Sequence, residues 1–481
     1  MKTTILSVLS AMFVGISTSY ATDLPSPKAF ISDVIDQNKV SADQTALKIN
    51  QLSELGYQEV QSAHTLSNHL AQQGFTVKSG VANIPTAFVA SYGSGKPVIG
   101  FIAEFDALPG FSQQATAQRK TIEHQHNGQA CGHHLLGTAA AEAAIAVKAY
   151  MDKHNIEGTL KVFGSPAEEG GGGKVYLSRA GLIQGVDVVL NWHPASFNDS
   201  NPINNLANFS GKFRFKGRSA HAAAAPELGR SALDAVESMN FMVNAMREHV
   251  DQGSRIHYVI TNGGKAPNVV PDFAEVYYYA RHNNPEIARQ TWERIENAAK
   301  GAALGTETQV EIEITNATFS LLPNHLLSKL VHDNLTLVGG VTYDQDEVKF
   351  AEELQQSFNY EVPSVKSAND INPYDASGEI YYVSSDVGDI SRNAPTNWLN
   401  VATWVPGTAP HSWQAVAAGS MSIGLKGMNV AAKTMAFSAL DLLLDDKKVD
   451  AIYAEFVKAR GEDFHYQPLV KDRAPPLDYR K

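Results

Sequence analysis

Four short apolar runs, separated by segments with a helical pattern, restrict the fold of this 481-residue chain more than any other feature. Each run would be apolar on both faces of a strand, and the segment at 137–151 is a helix candidate rich in alanine. Strands buried on both faces and alternating with helices are typical of a mostly parallel sheet covered by helices. We therefore predict an α/β domain whose main strands lie at 98–103, 159–163, 186–190 and 398–404.

A different pattern interrupts this domain between residues 208 and 321. The candidate elements follow the order strand, helix, strand, strand, helix, strand, and in the last strand Val310, Ile312 and Ile314 alternate with polar residues. This order is typical of the ferredoxin-like α+β arrangement. The predicted organisation is a signal peptide at 1–21, a first domain in two parts at 22–207 and 322–450, an inserted domain at 208–321 and a C-terminal tail at 451–481.

The N-terminal residues have the pattern of a cleavable secretory signal peptide. Lys2 precedes an apolar stretch at 5–16, and small and polar residues follow up to Ala21. The apolar stretch is shorter than the roughly 20 residues that a membrane-spanning helix needs. We therefore expect cleavage after Ala21 and a soluble mature protein that is periplasmic or secreted.

The composition excludes some partners. The formal net charge is −11, which offers no basic surface for nucleic acid or anionic lipid. The single cysteine cannot form an intramolecular disulfide. We therefore expect neither nucleic acid nor a membrane as a partner.

Each predicted strand runs directly into side chains that bind metals or transfer protons. Beyond the four strand ends lie, in chain order, Asp106, the pair Glu168 and Glu169, His193 and His411. Sites in open α/β sheets form beyond the carboxyl ends of the strands. We therefore expect these side chains to meet at one edge of the sheet.

Together with the Cys-Gly-His-His sequence at 131–134, these residues form a candidate metal-ligand set. One thiolate, three imidazoles and one carboxylate are ligand types for zinc and similar first-row divalent ions, not for calcium or magnesium. Five ligands fit two ions better than one, and two such ions about 3.5–4 Å apart can activate a water for attack on a carbonyl. Glu168, beside a ligand, is the candidate general base. The candidate ligands are Cys131, His133, Glu169, His193 and His411.

At these residues the chain resembles the metal-dependent amidohydrolases of the aminoacylase/carboxypeptidase superfamily, which includes hippurate hydrolases and auxin-conjugate hydrolases. Within it, the motifs are most similar to the branch of aminobenzoyl-glutamate utilisation protein B. The resemblance extends from about residue 30 to about residue 445. It rests on FDALPG at 105–110, CGHHLLGT at 131–138, PAEEGGGGK at 166–174, WHP at 192–194, GRSAHAAAAPELGRSALDA at 217–235, APNVVP at 266–271, SSDVGD at 384–389 and PHSWQ at 410–414.

The resemblance implies a role for each motif residue of the first domain. The five candidate ligands match the family's ligands for two divalent ions, zinc or manganese. Glu168 matches its general acid/base, and Asp106 matches an acid that orients a metal-side histidine. The implied activity is hydrolysis of the amide bond in N-acyl amino acids, such as aminobenzoyl-glutamate, or in dipeptides.

The resemblance also implies a role for the inserted domain, which matches a lid that commonly forms a homodimer. His221 matches a lid histidine that helps to polarise the substrate carbonyl, often in the partner's site. Asn268 and Arg281 are similar to lid residues that bind the substrate, and an arginine paired with a free carboxylate would explain a preference for N-acyl amino acids.

Three positions depart from the family pattern. His134 stands where the family usually has Asp or Asn, Gln129 where it often has His, and Ser385 where Thr is expected. None of them removes a candidate ligand, so the implied chemistry is retained.

Two other functions are compatible with these residues. A thiol enzyme would use Cys131 as nucleophile and His133 or His134 as base, but it leaves the ligands at the strand ends without a role. A non-catalytic periplasmic protein could bind acyl-amino acids or peptides, since a fold alone does not prove activity. The metal hydrolase is favoured because Glu168 and all five candidate ligands are present together.

Overall fold

The computed structural model describes residues 26–378 and 380–480. The predicted signal peptide and its cleavage site lie outside the described residues. The elements before the inserted domain are α1 (Ser26–Leu52), α2 (Val60–Gln72), β1 (Thr76–Ser79), β2 (Phe88–Ser94), β3 (Val98–Ala103), β4 (Leu108–Pro109), β5 (Asn127–Gly128), α3 (His133–His154), β6 (Gly158–Gly164), α4 (Gly173–Arg179), β7 (Val188–Leu190) and β8 (Trp192–Ala195).

The central sheet has the strand order β1-β2-β6-β3-β7. β3 lies parallel between β6 and β7, whereas β2 and β1 extend the sheet in antiparallel fashion at one edge. Ile99, Phe101 and Ile102 of β3 are fully buried, as expected for a strand covered on both faces. The predicted α/β fold with a mostly parallel sheet is confirmed.

The alanine-rich segment forms α3, which packs directly on the sheet and on α1. Its residues from His133 to Val147 are all buried, because small side chains let the helix approach its neighbours closely. The helix begins right after Gly132, whose φ of 73° is a left-handed conformation that glycine adopts without strain. This turn places the Cys-Gly-His-His sequence at the edge where the parallel strands end.

The inserted domain has the strand–helix–strand–strand–helix–strand order that the sequence predicts. Its sheet has the order β10-β11-β9-β12 with every pair antiparallel, and α5 and α6 cover one face through buried side chains such as Val236 and Trp292. The ferredoxin-like arrangement is therefore confirmed. Its elements are β9 (Ala207–Lys216), α5 (Ala232–Met246), β10 (Arg255–Asn262), β11 (Phe273–His282), α6 (Pro285–Gly305) and β12 (Gln309–Thr318).

After the insertion the chain returns to the first domain. β13 pairs in parallel with β8, and it is shorter than the predicted strand at 398–404 because the N–H groups of Thr403 and Trp404 both donate to the Ala195 carbonyl. The elements are α7 (His325–Val338), α8 (Gln345–Gln355), α9 (Val387–Ser391), β13 (Leu399–Ala402), α10 (Trp413–Gly419), α11 (Ser422–Leu443) and α12 (Asp446–Arg460). Short 3₁₀ turns lie at Val81–Asn83, Pro226–Leu228, Arg247–His249 and Val365–Asn369.

Helix α12 crosses the boundary at which we predicted the tail to begin. Val449, Ile452 and Phe456 recur at helical spacing and are buried, so packing continues the helix to Arg460. Residues 461–480 have no regular helix or strand, yet Val470 within them is buried. Among the residues described, no helix combines the length and apolar character that crossing a bilayer requires.

Candidate functional site

The candidate ligands come from separate segments of the chain and lie next to one another. Cys131 Sγ is 4.0 Å from Nδ1 of His193, and the ring of His193 meets that of His133 edge-on at 5.5 Å. His411 Nε2 lies 3.0 Å from Glu169 Oε1. The strand ends therefore bring these side chains to one edge of the sheet.

The described residues contain three groups of metal-binding side chains; one consists of Glu104, His133 and Glu168, and the other two share the Cys131 thiol. Of these two, one contains Cys131, His133 and His193, and the other contains Cys131, Glu169 and His411; within each, the ligand atoms lie within 4.8 Å of one another. Burial by itself would raise the pKa of the Cys131 thiol, but His193 and His133 hold that pKa well below its usual range. The thiolate, which is the metal-binding form, is thereby favoured between the two groups.

The carboxylate of Asp106 fixes the orientation of the His133 ring. Its Nδ1–H donates to Asp106 Oδ1 at 2.9 Å, and Oδ2 of the same carboxylate accepts the Glu169 N–H at 3.0 Å. Nε2 of His133 is buried without a hydrogen bond in the described part of the chain, although Glu104 Oε2 lies 3.1 Å away. Metal-binding histidines commonly have a carboxylate behind the ring and a free second nitrogen. The residues therefore fit divalent ions.

Glu168 is half-buried and faces the same space. Burial raises the pKa of its carboxyl well above the usual range, and the charges of Glu104, Glu169 and Asp386 raise it further, while Lys174 opposes them. A carboxyl group with a raised pKa can both accept and return a proton near neutral pH. This environment is suited to a general acid/base.

A buried charge network beside the site is missing from our sequence prediction. Lys174 Nζ lies 2.7 Å from Glu104 Oε1 and 2.6 Å from Asp386 Oδ1, and all three side chains are buried. Glu104 Oε2 is also 3.7 Å from Nε2 of His193. The sequence signal that could have found it was an acidic residue directly after β3 and a lysine after the four glycines.

The loop that carries Glu168 and Glu169 is fixed by side chains from the segment between α1 and α2. Ala167 has a φ of 56°, and its N–H donates to Glu59 Oε1 at 2.7 Å. Tyr57 Oη donates to the Gly171 carbonyl at 2.8 Å. Burial first, and then the Asp106 charge, raise the pKa of Glu59 to about 8. Sequence reasoning missed Tyr57 and Glu59, which lie far from the loop along the chain.

The glycines after Glu169 are required by close packing. A Cβ atom on Gly173 would lie 2.0 Å from the Pro166 carbonyl oxygen, and Gly172 has a φ of 70°. The loop therefore folds back on itself before α4 begins. This close turn places Glu168 and Glu169 beside the other metal-binding side chains.

A cavity of about 340 Å³ opens onto Glu168 and the ligands. The Trp398 ring stacks on His193, with centroids 5.3 Å apart and planes 5° apart. The lining residues in the described part of the chain all come from the first domain. The aromatic ones, apart from the histidines, are Phe197, Tyr381, Trp398 and Trp404.

The three predicted lid residues lie outside this cavity. His221 is exposed, and its Nδ1 accepts the Ala223 and Ala224 N–H groups at 3.2 and 3.1 Å. Asn268 is adjacent, because its carbonyl accepts the Ala222 N–H at 3.0 Å. Arg281 is half-buried on β11 above the Tyr279 ring. Within one chain, these residues therefore do not reach the ligands.

The three departures have separate structural roles. His134 is buried and directed away from the ligands, and its Nε2 donates to the Gly419 carbonyl at 3.0 Å. Burial lowers the pKa of His134 to about 4, so the ring is neutral. Gln129 links the His134 N–H to the Phe105 carbonyl, and Ser385 lines the cavity. The His134 contact argues against its use as a base for Cys131.

Comparison with known proteins identifies relatives over almost the whole chain. A family model described as the peptidase dimerisation domain matches residues 206–307. A p-aminobenzoyl-glutamate hydrolase chain of Escherichia coli is 38% identical over 471 residues, which is 93% of this chain and 98% of that protein. The Xaa-Arg dipeptidase of Mus musculus is 28% identical over 387 residues, or 78% of each chain.

Solved structures have the same fold. An aminobenzoyl-glutamate utilization protein from Klebsiella pneumoniae has a TM-score of 0.58 at 18% identity and covers 85% of this chain and 98% of its own. A dinuclear metal-binding peptidase of the M20 family from Bacillus subtilis has a TM-score of 0.56 at 16% identity, covering 87% and 99%. The family assignment rests on the E. coli hydrolase, because its 38% identity extends over 93% of this chain. The chain is therefore a metal-dependent amidohydrolase that belongs to the M20 peptidase family.

Proposed function

We propose that the protein hydrolyses the amide bond of N-acyl amino acids, with Glu168 as general acid/base. The observation that supports this most directly is the position of Glu168, which is half-buried at the cavity wall and has a carboxylate oxygen within 4.8 Å of a ring nitrogen of the candidate ligand His133. A proton acceptor there can serve a water that attacks a carbonyl bound in the cavity.

The proposed ligands are Cys131, His133 and His193 for one divalent ion, and Cys131, Glu169 and His411 for another. When bound, such ions lower the pKa of a water and polarise a carbonyl. The thiolate ligand favours zinc over manganese. Asp106 keeps Nε2 of His133 directed at the site through its contact with Nδ1.

The other steps use side chains of the protein. Glu168 takes a proton from the attacking water and later returns it to the leaving amine nitrogen. The raised pKa of Glu168 supports both transfers, because it makes the carboxylate a stronger proton acceptor than an ordinary glutamate. By the roles of their family counterparts, His221 helps to polarise the substrate carbonyl, and Asn268 and Arg281 bind the substrate. Arg281 pairs with the free carboxylate of the amino acid.

We propose that the aromatic side chains bind the acyl group. The cavity wall next to the ligands contains the apolar aromatic rings of Phe197, Trp398 and Trp404. Aromatic groups pack favourably on such walls. The relative from E. coli is named for a p-aminobenzoyl-glutamate substrate, which has an aromatic acyl group. An aromatic acyl amino acid of this kind is therefore the proposed substrate class.

We propose that the lid forms a homodimer, in which His221 reaches the partner's site. β10 is an edge strand of the lid sheet, and Tyr258, Val259 and Ile260 on it are exposed. Phe241 on α5 is 75% exposed and adds to the apolar surface of the lid. A dimer would cover these residues and explain why His221 lies outside the cavity of its own chain.

Export is also a proposal, and it rests on the sequence pattern at 1–21. Its test is the N-terminal residue of the protein isolated from a periplasmic or secreted fraction. Cleavage after Ala21 supports export, and an intact N-terminus in the cytoplasmic fraction contradicts it.

The test of the proposed function is amine release from a panel of N-acyl amino acids that includes aminobenzoyl-glutamate. Release that stops with a chelator and returns with zinc or manganese supports the proposal. Activity that persists after metal removal favours the thiol enzyme instead. Tight binding of the panel compounds without release by the metal-loaded protein favours the binding protein.

A further inference from the structure

We propose that residues 461–480, which we call the strap, hold the Glu168–Glu169 loop in position through Tyr479 and Arg480. Tyr479 Oη and Arg480 Nη2 each donate a hydrogen bond to the Glu169 main-chain carbonyl at 2.9 Å. The carbonyl belongs to a candidate metal ligand and follows the candidate general acid/base directly. The role of the strap in turnover rests on the proposed function of Glu168.

Tyr479 is also packed against the other residues that hold this loop. Its ring meets the Tyr57 ring edge-on, with centroids 5.6 Å apart. Tyr57 in turn donates to the Gly171 carbonyl at 2.8 Å. Tyr57 and the strap therefore hydrogen-bond two main-chain carbonyls of one short loop, those of Gly171 and Glu169.

The strap is anchored along its length before it reaches the loop. Tyr466 Oη donates to Asp389 Oδ1 at 2.7 Å, and Val470 is buried. Arg179 Nη1 donates to the Lys471 and Arg473 carbonyls at 3.1 and 2.7 Å. These contacts already restrict the strap. Tyr479 and Arg480 therefore lose less conformational entropy when they bind the loop.

The strap also contacts the lid. Arg473 Nη2 lies 2.6 Å from Glu313 Oε1 on β12, and Arg473 Nη1 donates to the Thr315 carbonyl. Asn316, next on the same strand, donates through Nδ2 to the Gly170 carbonyl at 3.3 Å. The lid strand and the strap thus meet at the loop that carries Glu168.

Both main-chain polar groups of Glu169 are hydrogen-bonded, and this gives the strap its effect. The N–H of Glu169 donates to Asp106 Oδ2, and its carbonyl accepts from Tyr479 and Arg480. Loss of the two donors would free the peptide group that follows Glu169, and the side-chain directions of Glu168 and Glu169 would then be less fixed. Misplacement of a catalytic group by about 1 Å can lower the rate by about 100-fold.

The first measurement is hydrogen–deuterium exchange on the full chain as purified, which needs no substrate. In the double variant Tyr479→Phe/Arg480→Ala, exchange should rise in peptides covering 165–174 and stay unchanged in peptides covering 207–216 of the lid. Asp478→Asn, a change at an exposed strap residue, should leave both regions as in the wild type. Equal exchange of the loop in wild type and double variant would overturn the proposal.

The second measurement is steady-state kinetics at saturating metal. The double variant should lose about 10-fold or more in kcat while KM changes by less than about 3-fold, and Arg480→Lys should retain most of the activity. An unchanged kcat, or a loss of kcat matched by a global fall in Tm, would overturn the positioning role. A wild type without turnover on any substrate would contradict the proposed function alone, since the exchange measurement still tests the strap.

Discussion

Lys174 Nζ lies 2.7 Å from Glu104 Oε1, and neither side chain is exposed to solvent. Asp386 approaches the same ammonium group at 2.6 Å and also accepts the Lys174 main-chain N–H at 2.9 Å. One buried cation therefore compensates two buried carboxylates beside the ligands. Burial lowers and the two carboxylates raise the pKa of Lys174, and the net effect is a raised pKa, so the lysine stays charged.

We predict that Lys174→Met strongly destabilises the protein. It would leave Glu104 and Asp386 buried without their cation, and breaking a buried pair in this way costs about 3–5 kcal/mol. The measurement is the free energy of unfolding from denaturant titration. Lys96→Met is the matched control, because Lys96 is 73% exposed in its pair with Asp187, and exposed pairs contribute at most about 1 kcal/mol. Equal losses in both variants would contradict the importance of the buried network.

We predict that Glu168→Gln removes most of the turnover and leaves metal binding intact. Glutamine has nearly the same volume but cannot take a proton, so kcat should fall by about 10²–10⁴-fold. Metal content measured by mass spectrometry should equal that of the wild type, since Glu168 lies outside both ligand groups proposed for the ions. Glu157→Gln, at an exposed position, is the control. Near-normal turnover of Glu168→Gln would show that another group moves the proton.

We predict different metal contents for two ligand variants. Cys131 belongs to both ligand groups, whereas His411 belongs to one. Cys131→Ser should therefore weaken both sites, and His411→Ala should retain one ion per chain. The metal-to-protein ratio after dialysis against a weak chelator distinguishes them. One ion retained in Cys131→Ser would mean that the thiolate does not bridge the sites.

The sequence predicted the elements whose signal is local and missed the contacts that depend on distant segments. β3 matches the predicted strand at 98–103, and the residues after the strand ends do converge on one edge. Glu104 directly follows the same strand. Its part in the buried charge network depends on Lys174, which comes 70 positions later, so the strand pattern alone could not predict it. The strap was predicted only as part of a C-terminal tail, because its hydrogen bonds to Glu169 join residues more than 300 positions apart.

We predict a specific pH dependence of stability from Asp389. Burial raises its pKa to about 7, even though Tyr466 and the Phe319 N–H donate to it. Between pH 4 and 7 the folded state keeps a proton that the unfolded state releases, so this contribution is complete at low pH and is lost as the pH rises towards 7. The slope reaches up to about 1.4 kcal/mol per pH unit.

Asp389→Asn should remove this slope. The measurement is the free energy of unfolding of wild type and variant at several pH values from 4 to 8, with Asp370→Asn at an exposed position as control. The stability of the wild type relative to Asp389→Asn should fall as the pH rises. A difference that is constant with pH would mean that Asp389 is ionised in the folded protein throughout this range.

We predict that Phe197 selects for aromatic acyl groups. It lines the cavity but is neither a candidate ligand nor a candidate proton carrier. Phe197→Ala removes one aromatic contact, so kcat/KM for a benzoyl amino acid should fall by about 5- to 10-fold, as expected for about 1 kcal/mol of lost packing. The matching acetyl amino acid is too small to reach the same wall, and its kcat/KM should change less than twofold. Equal losses for both substrates would place the acyl group elsewhere in the cavity and make Phe197 a structural residue.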